Sequence, residues 1–150
     1  MSRKNLCDKR INRQPLIVRA VDPARSRLMS RVRQKDTGPE LVVRSLAHSL
    51  GYRFRLHRRD LPGSPDIVFI SRRKIILVHG CFWHRHTGCP KSTTPKTRRE
   101  FWQAKFKTNR RRDKAVIERL IDLGWKVLVI WECEVKDLNS LKKRLRRFLK

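Results

Sequence analysis

Three nearly uninterrupted apolar runs constrain this chain more than any other feature: DIVFI (66–70), KIILV (74–78) and WKVLVIW (125–131). Short runs of this kind, rich in Val and Ile, read as strands buried on both faces, so helices must cover each side of the sheet they form. The first two runs are joined by Ser71-Arg72-Arg73 and read as a buried hairpin. YRFRL (52–56) alternates and reads as a further strand. The covering helices are also legible. Asp22-Pro23 opens one, with Leu28, Met29 and Val32 as its apolar side. Thr37-Gly-Pro-Glu40 opens a second, which stops at Gly51. From Arg98 to Leu123 the positions Phe101, Trp102, Phe106, Val116, Ile117, Leu120 and Leu123 give a long helix ended by Gly124. Leu138, Leu141, Leu145 and Phe148 mark a terminal basic helix. The order α-α-β-β-β-α-β-α predicts an α/β fold, a mixed sheet flanked by helices.

A chain of 150 residues accommodates one such domain. We assign it to 22–150, preceded by a flexible basic arm over 1–21 that lacks the apolar stretch of a signal peptide, so a cytoplasmic protein is expected. Lys and Arg number 39 against 13 Asp and Glu, a formal charge of +26 spread along the whole chain. A small fold so charged calls for a polyanionic partner, and nucleic acid is the obvious one. A membrane surface is disfavoured, because there is no apolar run near the ~18 residues of a span and no helix with a broad apolar face opposite a basic one. Arg110, Arg111 and Arg112, like Lys142, Lys143, Arg144, Arg146 and Arg147, read as phosphate contacts collectively, or as solvated helix faces individually.

Chemistry concentrates in HGCFWHRHTGC (79–89). Cys81, His86 and Cys89 are close enough to wrap one ion, and Cys133 follows a strand able to lie beside them. Three thiolates and an imidazole describe a closed, tetrahedral structural zinc site; the competing reading makes Cys133 a buried hydrophobe next to Trp131. Cys7, in the arm, reads as a free thiol. His79 ends one apolar strand, and Asp66 begins its neighbour after the turn-rich Pro62-Gly63-Ser64-Pro65. A carboxylate and an imidazole at one sheet edge suit magnesium-assisted phosphodiester hydrolysis, although each residue taken alone also has a structural reading.

LPGSPDIVF, HGCFWHRH, REFW and RLIDLGWKVLVIWEC together resemble the very-short-patch-repair (Vsr) DNA mismatch endonucleases, within the restriction-endonuclease-like (PD-(D/E)xK) superfamily, from about residue 22 to the C-terminus. The resemblance implies that Asp66 binds magnesium, that His84 is the general base, and that His79 is a second catalytic histidine near the scissile phosphate. It makes Cys81, His86, Cys89 and Cys133 the ligands of a structural Zn2+, and gives Glu40 a supporting role, against a capping-box reading with Thr37. Val78 stands where the family has threonine; if the backbone carbonyl is what meets Mg2+, valine serves equally. The superfamily's Glu-x-Lys is absent, as in this family, where histidines substitute.

Phe82 and Trp83 lie between a zinc ligand and the general base, so a metal-stiffened loop would press their rings into a base stack, most easily where pairing is imperfect. By resemblance Trp102 joins this wedge, and Met29 enters from the opposite groove; for Trp102 the competing reading is helix core. The expected activity is single-strand nicking of duplex DNA at the T:G mismatches left by 5-methylcytosine deamination, with a cytosine-5 DNA methyltransferase and a repair polymerase as functional companions. The rivals are a general or restriction-type nicking nuclease on the same fold and a non-catalytic, zinc-stabilised DNA-binding module. A pure binder has no need of Asp66, His79 and His84 together.

Overall fold

The computed structural model describes residues 35–150. The expected arm over 1–21, the helix expected from Asp22 and the expected contribution of Met29 lie outside the described residues. Helix α1 (Gly38–Ser49) leads into strands β1 (Arg55–Leu56), β2 (Ile67–Phe69) and β3 (Lys74–His79). A single helical turn, α2 (Cys81–His84), and the long α3 (Arg99–Asp122) then lead to β4 (Lys126–Trp131) and α4 (Leu138–Leu149). The sheet runs β1-β2-β3-β4; its first two pairings are antiparallel and β3 with β4 is parallel. This is the α/β fold with a mixed sheet and flanking helices that the sequence predicts.

Period-two alternation divides the strands between two cores. Ile67, Phe69, Ile76 and Ile130 face α1 and α4, where Val43, Ala47, Leu141, Leu145 and Leu149 meet them. Val68, Ile75 and Leu77 face the other way, towards Leu120 and Trp125, with Val116 and Ile117 of α3 packed alongside. His79 and Trp131 continue the second set by parity, and their register pairing puts them side by side at the ends of parallel strands, on the α3 face.

Both predicted glycine stops are formed. Tyr52 N–H reaches Ala47 O at 3.1 Å behind Gly51, and Trp125 N–H reaches Leu120 O at 3.0 Å behind Gly124, the six-to-one bond of a Schellman cap. Strand β1 is shorter than YRFRL suggests, because Tyr52 and Phe54 set their rings edge-on against Phe69 and only Arg55 and Leu56 enter the ladder. Ile70 leaves its strand for a 3-10 turn, Ile70–Arg72, which closes the hairpin through a left-handed Arg73. Leu138 is exposed on the first turn of α4, and in its last turn Leu149 is the fully buried residue while Phe148 packs against the core in part. The start of α4 is fixed by Asp137, whose carboxylate accepts the Ser140 N–H at 3.0 Å.

Candidate active site

Because β2 runs antiparallel to β3, the beginning of one and the end of the other lie at the same end of the sheet, which sets Asp66 against Val78, the residue before His79. Gly63, in the loop that delivers Asp66, has φ +73° and lies so close to α3 that a Cβ would meet Val116 Cγ1 at 2.6 Å. The PGSP turn therefore seats on α3 only with glycine at that position.

Asp66 Oδ2 accepts the Val78 N–H at 2.8 Å, which leaves Oδ1 for another partner. Burial pushes the Asp66 carboxyl up to about 6, the nearby Glu40 charge pushes the same way, and the Val78 hydrogen bond, His57 and Arg44 oppose it. Glu40 is itself buried at the start of α1. Its Oε1 accepts from Thr37 Oγ1 at 3.0 Å, and its Oε2 from the Asp36 N–H at 3.1 Å and Arg44 Nη2 at 2.7 Å. The reciprocal capping box is thus not formed, since the backbone N–H that Glu40 takes belongs to Asp36 and Thr37 makes no side-chain cap. With both oxygens committed, Glu40 acts on Asp66 through its charge. Arg44, which also contacts His57 Nε2 at 2.9 Å, ties the cluster together; it stands one helical turn after Glu40, a spacing legible in the sequence, whereas His57 carries no sequence signal for this place.

His79 lies face to face with His84, ring centroids 4.0 Å apart and planes within 10°. Burial and then the His84 charge lower His79 to about 4, so it stands as a neutral imidazole. His84 Nδ1 lies 2.5 Å from Asp113 Oδ2. Burial works to raise the Asp113 carboxyl, but the His84 bond and the charges of His84, His79 and Arg112 outweigh it and hold the group below the usual carboxylate range. Asp113 was not found from the sequence: it sits 29 residues from His84, and its only signal is being the acid within the basic run NRRRDK. The pairing orients the ring: with Nδ1–H donated to Asp113, Nε2 is the lone pair left to take a proton.

Cys81, His86, Cys89 and Cys133 bring one donor atom each to within 4.8 Å of one another. His86 Nδ1 is 3.7 Å from Cys81 Sγ and 3.3 Å from Cys133 Sγ, and its ring stacks on Trp131 at 4.3 Å. The parallel register delivers Cys133, because Glu132 N–H binds His79 O at 2.9 Å and carries the chain past the strand end. Burial pushes the Cys81 thiol up to about 12, a cost that a cation bound to thiolate reverses. Three soft sulfurs and one imidazole in a compact group suit zinc, and the hard oxygen of Asp66 at a separate place suits magnesium.

The aromatics stand beside these groups. Phe82 meets Trp83, Trp102 and Phe106 edge-on at 5.1, 5.4 and 5.2 Å. Phe82 and Trp83 are half-buried, and Trp102 and Phe106 are buried. The sequence places Phe82 and Trp83 on a polar loop, whereas they occupy the turn α2, whose Trp83 carbonyl accepts Asn109 Nδ2 at 3.1 Å. Arg144, grouped above with the phosphate-binding cations, is held by Glu134 and by Val129 O at 3.0 Å.

A family model described as DNA mismatch endonuclease Vsr matches residues 20–91. The chain is 55% identical over 130 residues to the Type II nicking enzyme V.XorIIP of Xanthomonas oryzae pv. oryzae, covering 86% of this chain and 95% of that protein. It is 42% identical over 117 residues to the DNA mismatch endonuclease Vsr of Escherichia coli, covering 78% and 74%. The Type II nicking enzyme V.NmeAIP of Neisseria meningitidis serogroup A is 36% identical over 126 residues, covering 84% and 89%.

Proposed function

Since this chain belongs to the Vsr family of DNA mismatch endonucleases and is a DNA endonuclease, we propose that it nicks one strand of duplex DNA at T:G mismatches, with magnesium at Asp66 and zinc in the Cys81 loop. The observation that carries this reading is the His79, His84 and Asp113 group at the end of β3, with Asp66 bonded to Val78 one residue before it, beside an aromatic cluster.

Asp66 Oδ1 and the Val78 carbonyl would hold the magnesium ion, which when bound neutralises phosphate charge and stabilises the leaving oxygen. Asp113 fixes the His84 ring so that Nε2 removes the proton of the attacking water. His79, neutral and stacked on that ring, offers an N–H to a phosphate oxygen without adding a charge against the imidazolium. Glu40 and Arg44 set the charge around Asp66.

Cys81, His86, Cys89 and Cys133 would hold zinc and stiffen the turn that carries His84. Phe82 and Trp83 would wedge into the stack with Trp102 behind them, selecting a mismatch because its unstacking costs less. Met29 would approach from the other groove. Among the described residues no helix is long and apolar enough to cross a membrane, and an enzyme acting on cellular DNA would work in the cytoplasm. A cytosine-5 methyltransferase would supply the 5-methylcytosines whose deamination gives the T:G pairs, and a repair polymerase would resynthesise the strand from the nick.

A second reading, a nicking nuclease without a mismatch requirement, draws support from the relatives named as Type II nicking enzymes. The test is a nicking assay on end-labelled duplexes that differ only in one T:G versus T:A pair, with and without magnesium, across varied flanking bases. Cutting of one strand confined to T:G and dependent on magnesium is expected. Equal cutting of both duplexes would establish the second reading, and binding without cutting in any context would overturn both.

A further inference from the structure

A pocket of about 420 Å³ opens between the zinc loop and the first half of α3, lined by Arg85, Thr94, Gln103, Phe106, Lys107 and Arg110. Three of these side chains are cationic, two are neutral hydrogen-bonding groups, and no carboxylate is among them. Arg85 reaches its place from the left-handed residue that closes α2, φ 57°, a conformation costly for anything but glycine. Its guanidinium lies 4.6 Å over the Phe106 ring, and its Nη1, shielded from water, has no hydrogen-bond partner among the described residues. A buried guanidinium N–H without an acceptor is costly, and Arg85 bears that cost while its side chain lines this pocket. Gln103, Lys107 and Arg110 follow one face of α3 at spacings of four and three, and the next step of three along the same face is Asp113, the partner of His84.

We propose that this pocket seats one backbone phosphate of the nicked strand, gripped by the Arg85 fork and by Lys107 and Arg110, and so sets the register of that strand against His84. The inference deepens the nicking reading and rests on it. Guanidinium and ammonium groups that converge without an acid fit the non-bridging oxygens of a phosphodiester. Along α3, Arg110 and Lys107 precede Asp113 by about 4.5 and 9 Å. A strand rises about 3.4 Å per nucleotide, so the seated phosphate lies about one to three nucleotides from the one attacked.

The test walks a single neutral methylphosphonate along the nicked strand of a T:G duplex. Binding is followed by fluorescence anisotropy with zinc-loaded protein and no added magnesium, so that no cleavage is needed. Wild type, Arg85→Gln and the double variant Lys107→Gln/Arg110→Gln are compared. Wild type should weaken about tenfold at one linkage within about three nucleotides of the nick. Each variant should bind the unmodified duplex correspondingly less well and lose nothing more at that linkage. The slope of log K against log salt should become shallower by about 0.9, the value of one phosphate. Both double-variant sites are exposed on α3, so that variant decides the matter if Arg85→Gln releases zinc. Equal penalties in wild type and double variant at every linkage, an unchanged salt slope, or a sensitive linkage outside the window would each overturn the proposal. So would saturation of the pocket by inorganic phosphate with no linkage on the DNA coupled to it. Failure of the mismatch reading shows separately, as equal binding and nicking of T:G and T:A duplexes, and leaves the linkage comparison intact.

Discussion

The middle of the sheet and the edge where β3 and β4 end are built from the same strands, yet different forces hold them. In the middle, Ile75, Leu77 and Val68 meet Leu120 and Trp125, and burial of hydrocarbon is enough. Two residues further along, the alternation that buried Ile75 and Leu77 presents His79, with Trp131 beside it, and the covering side chains become His84, Asp113 and the cysteine cluster. Helix α3 spans both regimes: Val116, Ile117 and Leu120 cover the middle, while Trp102, Phe106, Asn109 and Asp113 serve the edge. Strand geometry therefore places His79 and Trp131, and polar bonds to side chains of α2 and α3 complete the group around them.

The sharpest way to break this contrast is to remove one of the four residues proposed to hold zinc. In Cys133→Ser the edge should lose most of the metal's apparent binding free energy, about 10 kcal/mol. Zinc content should fall well below one equivalent per chain, with hydrogen exchange rising over 79–91 and the first half of α3 while β2 and β3 stay protected. Full zinc occupancy, or loosening that spreads evenly across the sheet, would show that edge and middle are one cooperative unit. Leu120→Ala is the converse experiment. It should lower global stability by about 4 kcal/mol, as cavity formation in a closed core does. In the protein that remains folded, zinc content and cutting rate per folded molecule should be unchanged.

The two regions also differ in how far the sequence discloses them. The middle announces itself, because apolar runs and glycine stops are local signals, and the long helix fell within one residue of its observed ends at Arg99 and Asp122. At the edge, HGCFWHRHTGC (79–89) holds three of the four donors of the Cys81, His86, Cys89 and Cys133 cluster, so that grouping is legible in the sequence with Cys133 brought beside it by β4. What sequence could not supply were partners fixed only by tertiary packing. Asp113 lies in the middle of a 24-residue helix, 29 residues from His84, and His57 reaches Glu40 and Arg44 from the loop after β1. Trp102 shows the same limit from the other direction: a helical pattern does not tell whether an aromatic faces DNA or Phe82 and Phe106.

Asp113→Asn sharpens the comparison within the edge. Asparagine keeps the size but offers an N–H or a weaker acceptor to His84 Nδ1, so the base loses its orientation and its compensating charge. Cutting should slow by about 10²- to 10³-fold, mainly in kcat, with zinc content and duplex affinity retained. A comparable loss of affinity instead would make Asp113 a support of the loop and not of the base.

The smallest effect expected is a gain in stability. Burial pushes Asp66 up to about 6 from an ordinary 3.8, so the folded, magnesium-free chain holds this proton more tightly than the unfolded chain does. The sign follows directly. Below about pH 4 both states are protonated and the site costs nothing, whereas above about pH 6 the folded state carries a buried carboxylate and is destabilised. A shift of about two units corresponds to at most about 3 kcal/mol, a figure in which the opposing Val78 hydrogen bond is already counted. Asp66→Asn should therefore be about 2 kcal/mol more stable than wild type at pH 7.5, equal to it near pH 4, and inactive as a nuclease. Magnesium should stabilise the wild type by mass action and leave the variant unmoved. A variant less stable than wild type at pH 7.5 would mean that the carboxylate is settled by its hydrogen bond, and that the edge, like the middle, was built for stability first.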